Sequence, residues 1–433
     1  MRKTGLIAVF LGLLLWTGCG DTFRPVVIPN VPTPPQPGGN HAVFVVSQNG
    51  TFNPGSGMQV NVSGDTNVGV AVAGRGPVFA TMVPPLPDHV AIANELEDTV
   101  TIYAPASTSG ATGSTNTVTL PPGSAPVFLT STQPSEVYSA NSGNDTVSVI
   151  GLLTNQVTQT VNLTAGSKPV AVVQTSNTNK VYAINQGNNS VVSINTVDNT
   201  VNAPITGAAI STPVWAVARA DSQRLYVLSQ GNGDIAVIDA NTDTLLTGTA
   251  SVGAGANFML YDNSRNRLYV TNPVAGTLTI LNAGVDPPAV LSSISMNSGS
   301  NAPCAGGCSP VSVAALPDGT RAYVASLQTS SSTSSGFVTV IDALNNGIKK
   351  NIPLSAVSAQ SNCTSVPFRI STAASADSTR VYVARCDAEG VSIVRTSDDT
   401  LLFDLPAPVS SFPPPAGSTQ PPPQNPVWVV AGP

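Results

Sequence analysis

Short apolar runs recur along the whole chain, divided by turns rich in Asn, Gly, Ser and Thr, and nowhere do apolar residues return at the helical period of 3.6. Such runs predict strands. The turns predict hairpins, because Asn and Gly tolerate the positive φ of tight connections. One strand repeats with Tyr at its third position: "EVYSAN" at Glu136, "KVYAIN" at Lys180, "RLYVLS" at Arg224, "RLYVTN" at Arg267, "RAYVAS" at Arg321 and "RVYVAR" at Arg380. The steps are 44, 44, 43, 54 and 59 residues, a period near 44 with insertions in the last two units. Two degenerate copies, "HAVFVV" at His41 and "HVAIAN" at His89, bring the total to eight.

Each Tyr strand is followed across a short polar turn by another, as in "DTVSVI" at Asp145 and "GDIAVI" at Gly233, and then by a more polar one, as in "DTLLFD" at Asp399. A fourth element precedes it: "GPVFATM" at Gly76, "APVFLTS" at Ala125, "KPVAVVQ" at Lys168, "TPVWAVA" at Thr212, "GANFMLY" at Gly255, "SPVSVAA" at Ser309, "SVPFRIS" at Ser365 and "NPVWVVA" at Asn425. The last copy ends the chain with nothing to pair with, and the three strands it lacks stand alone at the other end, from His41, Gly57 and Asn67. Four strands per repeat read as blades of an all-β propeller whose ring closes by pairing the N-terminal strands with the C-terminal strand. Eight blades are expected; seven is the alternative, because Asn40 to Asp88 is the most degenerate stretch.

Composition adds little to the fold and more to the setting. Charged residues make up only 9% of 433, so Asn, Ser, Thr and Gly must carry solubility. At the N-terminus Arg2 and Lys3 precede the apolar run Gly5 to Trp16, which is short for a bilayer span and reads as a signal h-region. Thr17-Gly18-Cys19 resembles the end of a bacterial lipobox, with Cys19 as the lipidated residue; Trp16 departs from that pattern, and ordinary cleavage or an uncleaved anchor remain open. Residues 1–19 are thus expected to be a lipoprotein signal peptide and 20–40, with six prolines, an extended tether. Residues 41–433 are expected to form the propeller domain. Without Arg2 and Lys3 there are 15 basic against 23 acidic residues, which argues against a nucleic-acid partner.

Tyr269-Val270-Thr271-Asn272 spells the signature of the YVTN-repeat β-propellers, and Val227 to Leu246 is similar to that family's repeat over most of its length. The resemblance covers roughly residues 41–433. It implies the propeller fold, and a membership that spans surface-layer proteins, periplasmic binding propellers, redox-enzyme domains and, more distantly, lactonases. Function does not follow from such a fold.

Candidate chemistry is sparse. The two histidines, His41 and His89, begin degenerate strands, and no histidine cluster for copper or haem exists. No G-x-S-x-G, H-E-x-x-H or G-x-x-x-x-G-K-[ST] occurs, and no cofactor is expected. Asp239, Asn241 and Asp243 alternate like the start of a calcium loop but lack its sixth-position Gly, which is Thr244, and its distal Glu; a self-capping turn is the simpler reading and no metal is expected. Beyond Cys19, the four cysteines Cys304, Cys308, Cys363 and Cys386 suggest two disulfides in an exported protein, with Cys304–Cys308 and Cys363–Cys386 favoured among three pairings. The irregular segments 297–309, 327–336, 355–365 and 406–425 fall in the two loop classes that share one face of the ring, with one excursion at Ala104 to Asn116 on the other.

That long-loop face is the expected binding surface, with Glu95, Glu97 and Asp98 in "NELED" and Arg385, Asp387 and Glu389 around Cys386 as candidate residues. No catalytic residue is assigned. The leading expectation is a lipid-tethered, non-enzymatic scaffold that meets the membrane through its anchor and a protein or polysaccharide partner at the envelope. A lactonase-type hydrolase would need carboxylates and an arginine in the central channel, for which Arg219 and Arg369 are the candidates. A surface-layer component is the third reading.

Overall fold

The computed structural model describes residues 42–83, 89–105, 113–132, 135–298, 302–304, 307–330, 332–409 and 423–432. Cys19, the tether, His41 and most of segment 406–425 lie outside the described residues.

Eight antiparallel sheets follow one another along the chain. Blade 1 joins Asn425–Ala431, innermost, to Ala42–Asn49, Asn53–Asn61 and Thr66–Arg75. The other seven run outward in chain order. Blade 2 is Pro77–Met82, Val90–Asn94, Thr99–Ala104 and Ser114–Thr119; blade 3 is Pro126–Thr132, Glu136–Asn141, Thr146–Gly151 and Gln156–Asn162. Blade 4 is Pro169–Gln174, Lys180–Asn185 and Ser190–Asn195; blade 5 is Pro213–Ala218, Arg224–Ser229, Asp234–Asp239 and the short pieces Thr244–Leu245 and Ala250–Ser251. Blade 6 is Phe258–Asp262, Arg267–Asn272, Thr277–Asn282 and Ala289–Ser295, and blade 7 is Ser309–Ala315, Arg321–Thr329, Thr333–Asp342 and Gly347–Pro353, with Val357–Ser358 added at its edge. Blade 8 is Ile370–Ala374, Arg380–Arg385, Gly390–Arg395 and Thr400–Pro406. Among the described residues the only helical element is the 3-10 turn Ser361–Cys363. The ring closes as expected, with Val43 opposite Ala431 and Gln48 opposite Asn425.

Middle strands are buried on both faces because each blade packs between two others, which is why they read as continuous apolar runs. Outermost strands touch solvent and are polar, as in Gln156–Asn162. In blade 4 the outer edge is reduced to isolated bridges, Ile194 to Val201 and Val191 to Ile205, since Pro204 cannot donate to a ladder. Segment 327–336, expected to be irregular, is mostly strand: Leu327 pairs with Gly336 and Thr329 with Ser334, so the hairpin of blade 7 stands out beyond its neighbours.

In several blades the repeated tyrosine, with the basic residue before it where there is one, holds the blade to the next. Tyr182 donates to Asp243 Oδ1 at 2.5 Å while Lys180 Nζ pairs with Asp243 Oδ2 at 2.8 Å. Tyr323 donates to Asp399 at 2.6 Å beside Arg321, and Tyr138 to Asn199 at 2.7 Å. Across the closure, Arg380 Nε and Tyr382 Oη both reach Asp65, each at 2.8 Å. The acceptors Asp65, Asn199, Asp243 and Asp399 all sit at positive φ, from 50° to 58°, where Asp and Asn are the least strained side chains after Gly. The Asp239–Asn241–Asp243 alternation is explained by these contacts. Asp243 clasps blade 4, while Asp239 accepts from the Asn241 and Thr242 amides and pairs with Arg224.

Candidate functional site

Strand direction divides the loops between two faces. One, the loop face, carries the turns between second and third strands and the connections between blades; the opposite face carries the remaining turns.

On the loop face the candidate residues form two clusters, one on each side of blade 1. In the blade 2 hairpin, Asp98 spends both carboxylate oxygens on the next connection, accepting from the amides of Gly123 and Ala125 at 2.8 Å. Ala125 holds φ at 44°, a left-handed conformation that costs a non-glycine residue about 1 kcal/mol and that these bonds stabilise. The same device recurs with Asp145 and Asn189, so Asp98 is part of the repeat. Glu97 accepts from the Arg75 amide at 2.8 Å. Burial pushes the Glu95 carboxyl above the usual glutamate range.

The blade 8 cluster is built around Asp387. Arg369 grips it with two bonds, Nε to Oδ2 at 2.6 Å and Nη2 to Oδ1 at 2.7 Å, and the Gln360 amide adds a third at 2.8 Å. Burial alone would raise the Asp387 pKa; the bonds from Arg369, Gln360 and Ser334 more than offset it and hold the group below the carboxylate range. Cys363 and Cys386 are disulfide-bonded, as are Cys304 and Cys308, the pairing favoured from the sequence. Asn425 Nδ2 donates to the Cys386 carbonyl at 3.0 Å, which ties the closing strand to this hairpin. Arg385 is 3% exposed; it donates to the Ser355 carbonyl and lies 3.9 Å from Asp404, while its Nη1 finds no hydrogen-bond partner among the described residues. Burial raises the Glu389 pKa.

Arg219 and Arg369 do not converge. Arg369 stands before the innermost strand of blade 8, on the loop face; Arg219 stands after that of blade 5, on the opposite face, paired with Asp221 at 2.8 Å. His89 precedes the second strand of blade 2, where its carbonyl accepts from the Val83 amide.

The central channel is where sequence reasoning fell short. Phe79, Phe128, Trp215, Phe258, Phe368 and Trp428 meet across it, with Phe79 stacked on Phe128 at 4.0 Å and Trp215 4.7 Å from Phe258 and 5.6 Å from Phe368. Trp428 lies 4.7 Å from Phe79 and 4.9 Å from Phe368, completing a plug near the loop-face end. A signal was present: the residue after Pro-Val is aromatic in four of the innermost strands, Phe368 follows Val-Pro, and Phe258 holds the equivalent place. Below the plug lies a cavity of about 560 Å³, walled by the innermost strands of all eight blades; none of its lining residues is charged.

No protein-family model matches the chain, and no curated protein matches its sequence. Solved structures match its shape. The dihydro-heme d1 dehydrogenase NirN in complex with DHE superposes with a TM-score of 0.64 at 11% identity, over 84% of this chain and 73% of that one. Apo AztD from Citrobacter koseri gives 0.59 at 11% identity, over 90% and 98%, and the periplasmic gluconolactonase PpgL of Pseudomonas aeruginosa 0.54 at 16%, over 74% and 97%. At such identities the likeness concerns fold alone. The chain is an eight-bladed β-propeller closed by its own two ends.

Proposed function

We propose that this protein is an exported, YVTN-type propeller that binds a protein or polysaccharide partner at the cell envelope through its loop face, without turnover, held to the membrane by lipid on Cys19 through the tether 20–40. The observation that carries the reading is the cluster around Asp387. Its charges are spent on fixing loops: Arg369, Gln360 and the Cys363–Cys386 disulfide join three segments into one surface, and the blade 7 hairpin projects beside them. Loops immobilised in advance lose less entropy when a partner docks. Carboxylates already paired with arginine and backbone amides are poor acids and bases for catalysis. Two disulfides suit an oxidising compartment outside the cytoplasm.

The test replaces residues 328–335 with Asn-Gly, which shortens the blade 7 hairpin. The melting temperature should change by only a few degrees while retention on isolated envelope polysaccharide and protein fractions falls at least tenfold. Unchanged retention would place binding elsewhere, hydrolysis of lactones by the purified protein would overturn the non-enzymatic part, and absence of palmitate label that depends on Cys19 would remove the anchor.

A further inference from the structure

The central cavity lies on the opposite side of the plug from the loop face, so a ligand held there would be separate from the partner proposed above. Its volume, about 560 Å³, falls within the range of ordinary small-molecule sites. Its floor is aromatic, with Phe79, Phe128, Trp215, Phe258 and Trp428 all contributing surface. Its walls are the C-terminal halves of the innermost strands, rich in Ala and Val, and exposed Ser176 marks the mouth.

Six polar side chains break this apolar lining: Thr81, Thr130, Gln174, Ser176, Tyr261 and Thr372. Among the described residues two of their oxygens, Gln174 Oε1 from blade 4 and Thr372 Oγ1 from blade 8, are shielded from solvent and have no hydrogen-bond partner. Blades 4 and 8 face each other across a ring of eight, so the two atoms belong to opposite walls. A buried acceptor left unsatisfied is costly, and native proteins normally supply a partner. With no ionic group in the lining, a charged ligand would lose hydration without compensation. A flat apolar ring would stack on the floor, and rotation of the Gln174 amide or the Thr372 hydroxyl would bring its oxygen to an N–H or O–H group on that ring.

We infer that the central cavity is a binding site for an uncharged, mainly aromatic or otherwise planar small molecule that carries at least one hydrogen-bond donor. The ligand enters from the face opposite the long loops, rests on the plug and donates to Gln174 or Thr372. The plug stops it from passing through the ring.

The chain has three tryptophans, Trp16, Trp215 and Trp428, so protein lacking residues 1–19 reports fluorescence from the cavity floor alone. N-phenyl-1-naphthylamine is neutral and aromatic, carries one N–H, and accepts energy from tryptophan. Titration should quench the tryptophan emission saturably, at one probe per propeller. Ala373→Phe, which narrows the wall of blade 8, should weaken binding at least tenfold. The paired change Gln174→Leu and Thr372→Val keeps the size of both side chains and should weaken it several-fold, with naphthalene, which has no donor, affected little. Quenching that never saturates, or saturable quenching that neither set of variants alters, would overturn the assignment. Should Ala373→Phe fail to melt cooperatively, the paired variant decides alone.

Discussion

At the residue scale the molecule depends on turn carboxylates that hold one blade to another. Asp399 shows the reason. It accepts from Tyr323 at 2.6 Å, Arg321 at 2.5 Å and Lys349 at 2.9 Å, drawing its partners from blade 7 into a turn of blade 8. Burial alone would raise its pKa; the three bonds more than offset that and depress it. An unfolded aspartate titrates near 4, so its stabilising contribution is complete above about pH 4 and is lost as pH falls through the lower folded value. Asp399→Asn keeps an acceptor for Tyr323 but removes the charge, and should cost about 2 kcal/mol in a urea melt at pH 7. Its melting temperature should also fall less steeply than that of the wild type between pH 4 and pH 2. Equal slopes would mean that Asp399 is not depressed.

At the element scale the last two blades differ from the rest in having their loops stapled. The Cys363–Cys386 bond closes a loop with a sequence separation of 23, and the chain-entropy estimate for that length is about 3 kcal/mol. Cys304–Cys308 closes a separation of 4, for which the same estimate gives about 2 kcal/mol. Replacing Cys363 and Cys386 with Ser should therefore lower the urea midpoint more than replacing Cys304 and Cys308. The first pair also positions the Asp387 hairpin against the closing strand through Asn425, which adds to the difference. A larger loss from Cys304 and Cys308 would show that the entry to blade 7, not blade 8, organises this face.

At the scale of the whole molecule, stability rests on one non-covalent seam. Val427, Trp428 and Val429 are almost fully buried, and Trp428 donates to the Ala80 carbonyl of blade 2 at 3.1 Å. Removing Pro426 to Pro433 strips these side chains from the core and leaves the second strand of blade 1 facing the channel as an open edge. The loss should exceed about 5 kcal/mol, comparable with the entire stability of many domains. The truncated chain should fail to show the wild-type cooperative melt and should aggregate. A melt unchanged from that of the full chain would mean that the ring does not depend on the seam.

The repeat of about 44 residues, the four strands per unit, the shared closing blade and both disulfide pairs were legible in the sequence, because each depends on periodicity or on short separations along the chain. The aromatic plug was not read there. Phe79, Phe128 and Trp215 occupy corresponding places in different blades, yet nothing local says that these places meet on the axis of a ring. Nor did the sequence separate the roles of like residues. Asp98 caps backbone amides, Asp243 clasps a neighbouring blade and Asp387 is gripped by Arg369, although all three stand in polar turns. Strand pattern follows from which side chains can be buried, and that is written in local alternation. What a turn carboxylate binds depends on which blade is packed against it, and only the closed ring decides that.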